Sequence, residues 1–552
     1  MAMRKAALLR TAARSPMTSA GYRLSTEVGL VACLGDARRS GRGNTRRRRV
    51  IASMRQRRLR SLRFRPRRLA PVLVGLCLAQ PLAGCFVDTE HPDPELETAD
   101  KYTYGPRQPY VSLPALDWWR NFRSAELTKL MELAQTANLD IAVAVAQIIQ
   151  ADAQVRVAGA PLLPNITANF INTRDRTSPA SIAPSTTTTV RRGSLISDLH
   201  TANLSASYVL DFWGQTRATV LANEESAIAS RFNREVVAIT TEAAVANTYF
   251  QVLGAQDRIR IANNNLREAN RVLQVIRERF SQGTASQLEI AQQESLADQV
   301  KANIPPLVIT EQQSRIALAV LVGRAPENFV VRGGNMYGVT IPRVTPGLPS
   351  DILNQRPDIR QAEAQLASAN HSVESARAAF FPTISLTGQN GLQSLALAAL
   401  FTPAAWYWTW TAAVAQPVFD GFQRLGQLEL EQGVQQQFLQ QYRKSVLNAF
   451  SDVEQALIAL QQETIRERLQ SDVVRTARQA FVLSEQRLRE GTVDLTTVVQ
   501  IEQTLFTAED LLSQIRLARL LAVVSLFQAL GGGWPPLNAP PPPIPPNGGG
   551  PI

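Results

Sequence analysis

The chain has 552 residues and a formal net charge of +12, which would ordinarily suggest a nucleic-acid or anionic-membrane partner. Residues 1–84 hold 20 of the 58 Lys and Arg residues and only two acids, so the rest of the chain, with 38 basic and 44 acidic residues, has a net charge of −6 and gives no reason to expect a nucleic-acid partner. The last of the three cysteines is Cys85, which excludes disulfides, zinc clusters and thiol catalysis from the body of the chain.

The amino-terminal part predicts an export signal. Residues 54–84 run from a basic stretch through the apolar stretch Leu69–Leu82 to small residues, and the apolar stretch is too short to cross a bilayer. Leu82-Ala83-Gly84-Cys85 resembles the bacterial lipobox, which implies a lipid on Cys85; a plain signal peptide with an incidental cysteine is the alternative. Residues 1–53, basic and poor in core-forming residues, are predicted to be a start assigned too early or a disordered extension.

The body of the chain is an internal duplication. Arg279-Phe280-Ser281-Gln282-Gly283-Thr284 recurs 208 residues later as Arg487-Leu488-Arg489-Glu490-Gly491-Thr492, and Leu162-Leu163-Pro164-Asn165-Ile166 pairs with Phe380-Phe381-Pro382-Thr383-Ile384. A Ser-, Thr- and Pro-rich stretch, 177–190, predicts a longer exposed loop in the first copy. We therefore predict repeat 1 in 85–323, a Gly- and Pro-rich linker in 324–350, repeat 2 in 351–533 and a disordered Pro/Gly tail in 534–552.

Each repeat is predicted to contain one very long helical stretch, followed by a Gly-marked turn and one final helix. In repeat 1 it runs from about Gln215 to Phe280 without a proline, a length of roughly 100 Å as a helix. Apolar residues alternate at spacings of three and four, as in a coiled coil: Val236, Ile239, Ala243, Ala246, Phe250 and Leu253, then Val446, Phe450, Val453, Leu457 and Leu460 in repeat 2. A helical wall that lines water and an ordinary dimeric coiled-coil rod both fit this pattern.

Two short strands precede each long helix, and they argue against a rod. Apolar and polar residues alternate after Thr201, after Asn165, after Thr383 and from Trp406 to Val414, with lengths of about ten residues that suit a membrane β-strand. Only a closed barrel satisfies every backbone group in lipid, and four strands cannot close one. Two chains would supply eight strands and three would supply twelve. Trp406, Trp408 and Trp410 share one face and predict an interfacial aromatic girdle, with soluble sheet core as the alternative.

Together these features resemble the TolC-like outer-membrane efflux factors, in particular the NodT-type lipoproteins of multidrug pumps. The resemblance rests on the lipobox, the duplicated hairpin and long helix, the two Arg-x-x-x-Gly-Thr turns and Leu353-Asn354-Gln355-Arg356-Pro357-Asp358-Ile359. It implies a mostly α fold with a small β part: a homotrimer with a 12-stranded outer-membrane barrel on a helical periplasmic tunnel. It also implies a periplasmic adaptor and an inner-membrane transporter as partners, contact with outer-membrane lipid, and a passive conduit that catalyses no reaction. Phe86 after the cysteine, instead of Asp, fits that destination.

The resemblance assigns roles to two groups of residues. The turns become periplasmic tips that contact the adaptor, with Arg279, Gly283, Thr284, Arg487, Gly491 and Thr492 as candidates; as caps between antiparallel helices, their glycines need a positive φ. Many members of the family carry Asp at two gate positions where this chain has Thr497 and Gln500, so we expect a gate of Asp494, Thr497 and Gln500 that closes by packing and hydrogen bonding. Asp494 and Glu502 are the nearby carboxylates that could substitute for the missing ones.

Other functions find little support in the sequence. His91, His200 and His371 have no spacing that recommends a metal site or a catalytic triad, so we expect no enzyme activity, metal or cofactor. A lipid-anchored periplasmic coiled-coil scaffold and an adaptor protein are the alternatives. The paired hairpins argue against the scaffold, and the doubling of every element argues against an adaptor, which usually has one helical hairpin.

Overall fold

The computed structural model describes residues 102–105, 115–176, 178, 196–344, 347 and 349–532. The predicted signal peptide, the lipidation site at Cys85, the proline-rich tail and nearly all of the loop at 177–190 lie outside these residues. The described part is mostly helical with one small sheet, as the sequence predicts.

Nine α-helices and four strands carry the fold in the described residues. The helices are α1 (Ala125–Ala137), α2 (Leu139–Gly159), α3 (Gln215–Ser281), α4 (Gln287–Ala302), α5 (Ile304–Leu321), α6 (Pro349–Gln355), α7 (Pro357–Ala378), α8 (Gln423–Arg489) and α9 (Leu495–Ala529). The strands are β1 (Asn165–Arg176), β2 (Ile196–Leu210), β3 (Thr383–Ser394) and β4 (Trp406–Ala415). The order α2-β1-β2-α3 recurs as α7-β3-β4-α8, so the duplication predicted from the sequence is a duplication of structure.

The two long helices are matched in length and position. α3 and α8 have 67 residues each and begin 208 residues apart, and each reaches roughly 100 Å. Most residues of their predicted seams are buried: Ala246, Phe250, Val446 and Val453 have no exposed surface, and Val236, Phe450 and Leu460 are half-buried. Since the flanks are largely polar and partly exposed, each helix buries a stripe and leaves the rest for water or another helix.

The repeats differ after the tips. Repeat 2 ends in the single 35-residue helix α9, whereas repeat 1 breaks into α4 and α5 at Asn303, so the prediction of one final helix is wrong for repeat 1. Pro305 and Pro306 follow the break. Proline lacks the N–H that continues a helix but is tolerated in a first turn, which is where both prolines lie.

The sheet is antiparallel, in the order β1-β2-β3-β4. Both predicted hairpins are present, and β2 joins β3 in a register that pairs Leu204 with Asn390. β1 and β4 are therefore the edges, and one side of each has no partner strand among the described residues. The strands have the same order in the sheet as in the sequence, so the first and last strands are at the edges. Because edge strands present unpaired backbone N–H and C=O groups, a further chain can extend the sheet at either edge.

A carboxylate joins a strand end to the start of each long helix. Asp211 accepts hydrogen bonds from the backbone N–H groups of Thr216 (3.0 Å) and Arg217 (2.9 Å), and Asp420 accepts one from that of Arg424 (3.3 Å). These N–H groups have no partner within their helices, and the negative charge suits the helix N-terminus. The sheet and the helical part are thus connected in the same way in both repeats.

The linker between the repeats packs on the middle of the long helices. Glu126 accepts the backbone N–H groups of Arg332 (2.8 Å) and Gly333 (3.1 Å), and the fully buried Asp257 accepts that of Met336 (3.0 Å). Arg516 of α9 donates to the Met336 carbonyl. This part of the linker packs on an aromatic cluster formed by Trp118, Trp119, Phe122, Tyr249, Phe250 and Phe527.

The Leu353-to-Ile359 motif has a structural role. The Arg356 side chain, 11% exposed, donates a two-pronged hydrogen bond to Asp358 (3.0 and 2.8 Å), one to Asp452 of α8 (3.0 Å) and one to the Ala529 carbonyl at the end of α9 (3.0 Å). A guanidinium suits this geometry because it presents several donors in a rigid plane. Arg356 therefore connects the start of α7 to α8 and to the end of α9.

Candidate functional site

The two faces of the sheet have opposite chemistry. One face carries Trp406, Trp408 and Trp410, whose side chains are 58 to 66% exposed, and the paired strands add apolar residues beside them: Ile384, Leu386, Leu392, Leu204, Ala206, Ile166 and Phe170. The other face is polar, with a hydrogen bond from Asn203 Nδ2 to the Tyr407 hydroxyl (2.8 Å). The alternation fits hydrocarbon on one side and water on the other.

A second aromatic group lies at the opposite strand ends, where the sheet meets the helices. Trp213 stacks on Phe381 with ring centroids 4.7 Å apart, and its Nε1 donates to the Pro382 carbonyl at 2.8 Å. This group was not predicted from the sequence, although the aromatic residues flanking Asp211 and Asp420 were a signal for it. Its most exposed members are Phe212, Phe419 and Phe422. The sheet therefore has aromatic side chains at both ends, as at the two interfaces of a membrane barrel.

The two tip turns have the same geometry. Gly283 and Gly491 have φ values of +72° and +71°, which confirms the predicted positive φ. In each turn the threonine N–H donates to the arginine carbonyl, Thr284 to Arg279 and Thr492 to Arg487, both at 2.9 Å. A Cβ added at either glycine would meet nothing within 4 Å, so the backbone conformation, not crowding, requires glycine here.

The structure also brings the two tips together. Arg279 Nη1 donates to the Leu488 carbonyl at the end of α8 (3.0 Å), and its Nη2 donates to the Thr284 carbonyl (3.3 Å). Helix C-terminal carbonyls lack intrahelical partners and carry partial negative charge, so a guanidinium is favoured there. Beside this contact an open groove of about 430 Å³ separates α3 from α8, lined by Arg271, Gln274, Val275, Glu278, Arg279, Gln282 and Arg489.

The predicted gate residues begin α9. The Asp494 carboxylate is the N-cap and accepts the backbone N–H of Thr497 at 2.8 Å, and hydrogen bonds from the Thr497 side chain and backbone lower the Asp494 pKa. Thr497 and Gln500 are exposed, and Gln500 lies beside Leu288 in a groove of about 390 Å³ between α4 and α9. The three residues thus share the first turns of one helix, where Asp494 has a capping role.

A buried acid lies among the helices next to the predicted gate residues. Glu502 has no exposed surface, and its Oε2 accepts a hydrogen bond from Gln293 Nε2 of α4 at 3.0 Å. Burial is the main cause that raises the pKa of Glu502 to about 7, Glu268 and Glu485 raise it further, and the Gln293 hydrogen bond and Arg271 lower it. The sequence suggested Glu502 as a possible gate carboxylate, but in this chain it faces the helix core.

Comparison with known proteins identifies the family. The family described as outer membrane efflux protein matches residues 130–324 and 348–532, that is, both halves of the duplication. The chain belongs to this family. It is an outer-membrane channel subunit of an efflux pump, with a long helical part in the periplasm, which confirms the resemblance seen in the sequence.

Relatives and solved structures agree with this assignment. The pyoverdine export outer membrane protein OpmQ of Pseudomonas putida is 36% identical over 77% of this chain and 89% of its own length, and the probable efflux pump outer membrane protein TtgC of the same species is 28% identical over 82% and 93%. The Neisseria gonorrhoeae MtrE channel, in its open state, covers 81% of this chain and 97% of its own with 27% identity and a TM-score of 0.70. The outer-membrane channel OprN covers 82% and 100% with 24% identity and a TM-score of 0.75, which shows the shared fold.

Proposed function

We propose that three copies of this chain close a 12-stranded barrel through the outer membrane and continue it as a helical tunnel, a passive conduit for small molecules with no catalytic step of its own. The open four-stranded sheet, apolar on one face and polar on the other, carries this proposal. Its edge strands β1 and β4 offer unpaired backbone groups that lipid cannot satisfy. Repeating the sheet three times pairs every edge and leaves a bore wide enough for water.

The exposed apolar face of α2 supports the same assembly. α7 packs against both α3 and α8, whereas its counterpart α2 packs extensively against α3 alone, which leaves Leu139, Val143 and Val157 exposed. The stretch Ala125–Leu162 also has the length and mean hydropathy of a membrane span, the one such stretch in the described residues. We propose that α8 of a neighbouring copy covers this face, because α7 makes the equivalent contact with α3 of the other repeat. A membrane span is disfavoured because Asn138 interrupts the stretch, where it is the N-cap of α2.

The tips are the proposed contact surface for a periplasmic adaptor, which would in turn connect the conduit to an inner-membrane transporter. Gly283, Thr284, Gly491 and Thr492 lie at the far ends of α3 and α8 from the sheet, and the basic groove between these helices opens beside them. A partner helix with acidic side chains fits that groove in shape and charge. The proposed gate, Thr497 and Gln500 on the next helix, lies close enough for docking to move it.

The cargo of this conduit is proposed from its relatives. OpmQ, 36% identical to this chain, is named for the export of pyoverdine, and TtgC for an efflux pump. We propose a small exported molecule of the pyoverdine kind as the first cargo to test. A lipid on Cys85 would hold the trimer to the inner leaflet of the outer membrane.

The test is single-channel recording on the purified protein in planar bilayers, with the mass of the detergent-solubilised particle measured alongside. We expect trimers that give stepwise aqueous conductance. Trimers or dimers that do not insert would support the coiled-coil scaffold instead.

A further inference from the structure

The tip contact made by Arg279 has an unfilled counterpart in the other repeat. Within one chain, Arg279 of repeat 1 donates to the Leu488 carbonyl of repeat 2. Shifted by the 208-residue spacing of the repeats, the same contact would join Arg487 to the Phe280 carbonyl. Arg487 is exposed, and its side chain has no hydrogen bond or ion pair in the part of the chain that the structure describes.

The exposure of the two acceptor residues points the same way. Leu488 is 1% exposed because the helices of repeat 1 cover it, whereas its counterpart Phe280 is 44% exposed. The two turns have the same φ values and the same backbone hydrogen bonds, so the difference is in their neighbours and not in their conformation. The Phe280 carbonyl accepts the backbone N–H of Gly283 in its own turn (2.9 Å), as the Leu488 carbonyl accepts that of Gly491 (3.1 Å), but only the Leu488 carbonyl has an arginine donor as well. The open Phe280 side chain and this carbonyl therefore lack a covering partner of the kind that Leu488 has.

We infer that this partner is a second copy of the chain. Arg487 of one copy donates to the Phe280 carbonyl of its neighbour, and α8 of the copy that supplies Arg487 covers the neighbour's Phe280 ring. The inference rests on the trimer proposed above, in which repeats 1 and 2 alternate around the ring. The contact from repeat 1 to repeat 2 lies within a chain, and the contact from repeat 2 to the next repeat 1 lies between chains. Six arginine contacts, three of each kind, then close the ring of tips.

The grooves beside these contacts differ accordingly. The groove within the chain is lined by Arg271, Gln274 and Val275. The corresponding positions between chains, 208 residues later, are Gln479, Val482 and Leu483, and the last two are exposed apolar residues in the single chain. The surface on α8 that would face the neighbouring Phe280 is therefore less charged and more apolar than its counterpart on α3, as burial between copies requires.

Paired cysteines test the inference without touching either arginine. Gln282 and Arg489 line the same groove within the chain, so the double variant Gln282→Cys/Arg489→Cys is the control and should be linked by a short bismaleimide as a monomer in denaturing gels. Its counterpart, Ser281→Cys/Glu490→Cys, should be linked between chains and run as a covalent dimer and trimer. Each single-cysteine variant controls for Cys85.

The role of Arg487 itself is tested by combining each pair with Arg487→Met or Arg279→Met. A charge-assisted hydrogen bond contributes about 1.5 kcal/mol or more, about tenfold in an equilibrium. Arg487→Met should therefore slow linkage of the 281/490 pair by about tenfold and leave the 282/489 pair unchanged, and Arg279→Met should do the reverse. Equal effects of Arg487→Met on both pairs, or none on 281/490, would overturn the assignment.

The mass of the solubilised particle separates the two levels of the proposal. A trimer in which 282/489 links and 281/490 does not would refute the contact between copies and leave the channel function standing. A particle that is not a trimer would refute the proposed assembly and this inference with it.

Discussion

Replacing Glu502 by glutamine tests the role of the buried acid next to the proposed gate. Glutamine has the shape of the protonated acid and cannot ionise, so Glu502→Gln holds the site in its neutral form at every pH. In the wild-type chain the Glu502 pKa is raised from 4.5 to about 7, and the residue has no exposed surface. Ionisation is therefore disfavoured in the packed helices relative to the unfolded chain.

The direction and size of the effect follow from this pKa. Below pH 4.5 the carboxyl is protonated in both the folded and the unfolded chain, so the free energy of unfolding is at its highest with respect to this group. As the pH rises from 4.5 to 7, the unfolded chain ionises while the folded chain does not, so the free energy of unfolding falls; above pH 7 both ionise and the loss is complete. Each pKa unit corresponds to 1.36 kcal/mol, so the full loss is about 3 kcal/mol.

The assay is urea unfolding of the detergent-solubilised protein, followed by helical circular dichroism between pH 5 and 8.5. The stability of Glu502→Gln relative to wild type should rise with pH and level off above pH 7, about 3 kcal/mol in favour of the variant. The matched control is Glu294→Gln, the counterpart of Glu502 in repeat 1, whose carboxylate is partly exposed and paired with Arg277 at 2.6 Å; it should change stability by less than about 1 kcal/mol at any pH. A difference for Glu502→Gln that does not depend on pH would refute the reasoning.

Three further variants test other parts of the structure. Trp410→Arg puts a charge on the apolar face of the sheet and should cost about 2–4 kcal/mol, seen as loss of heat-resistant trimers in gels, whereas Thr409→Arg on the polar face should form trimers normally. Arg356→Ala removes the hydrogen bonds to Asp358, Asp452 and the Ala529 carbonyl and should lower the free energy of unfolding by about 1–3 kcal/mol, since both carboxylates remain partly exposed to water; a variant as stable as wild type to urea would contradict the role of Arg356 in joining these helices. Cys85→Ser should abolish incorporation of labelled palmitate, and labelling that persists would exclude Cys85 as the lipidation site.

The features that repeat along the chain were predictable from the sequence. The seams of α3 and α8, the alternation in the strands and the glycine turns at the tips each depend on local spacing, which a sequence displays directly. The positive φ at Gly283 and Gly491 followed in the same way, since glycine is the residue that adopts it at low cost. Even the length of the long helices needed no more than the absence of proline.

Features that depend on contacts between distant residues were not predictable. Nothing in the local pattern indicates that β2 pairs with β3, or that Arg279 reaches the Leu488 carbonyl 209 residues away. The burial of Glu502 was not predictable for the same reason: its position in α9 does not reveal that α4 covers it and that Gln293 donates a hydrogen bond to it. The break before Pro305 was visible in the sequence but was overridden by the symmetry expected of the repeats.

Comparing the two repeats shows where a duplicated chain has equal surroundings and where it does not. The tip arginine, glycine and threonine occupy the same positions in both repeats and form the same turn, because each turn reverses the chain between two antiparallel helices. Glu294 and Glu502 are also counterparts, yet one is paired at the surface and the other is buried, and Gln293, which bonds Glu502, has Ile501 as its own counterpart. The two copies therefore pack differently just behind the proposed gate, so an event that ionises the buried acid acts on repeat 2 and not on repeat 1. A tunnel built from three such chains would have six similar tips but only three buried acids, one in each repeat 2. Ionisation of these acids would therefore loosen the packing at three alternate positions around the ring, and those three positions would control the proposed gate.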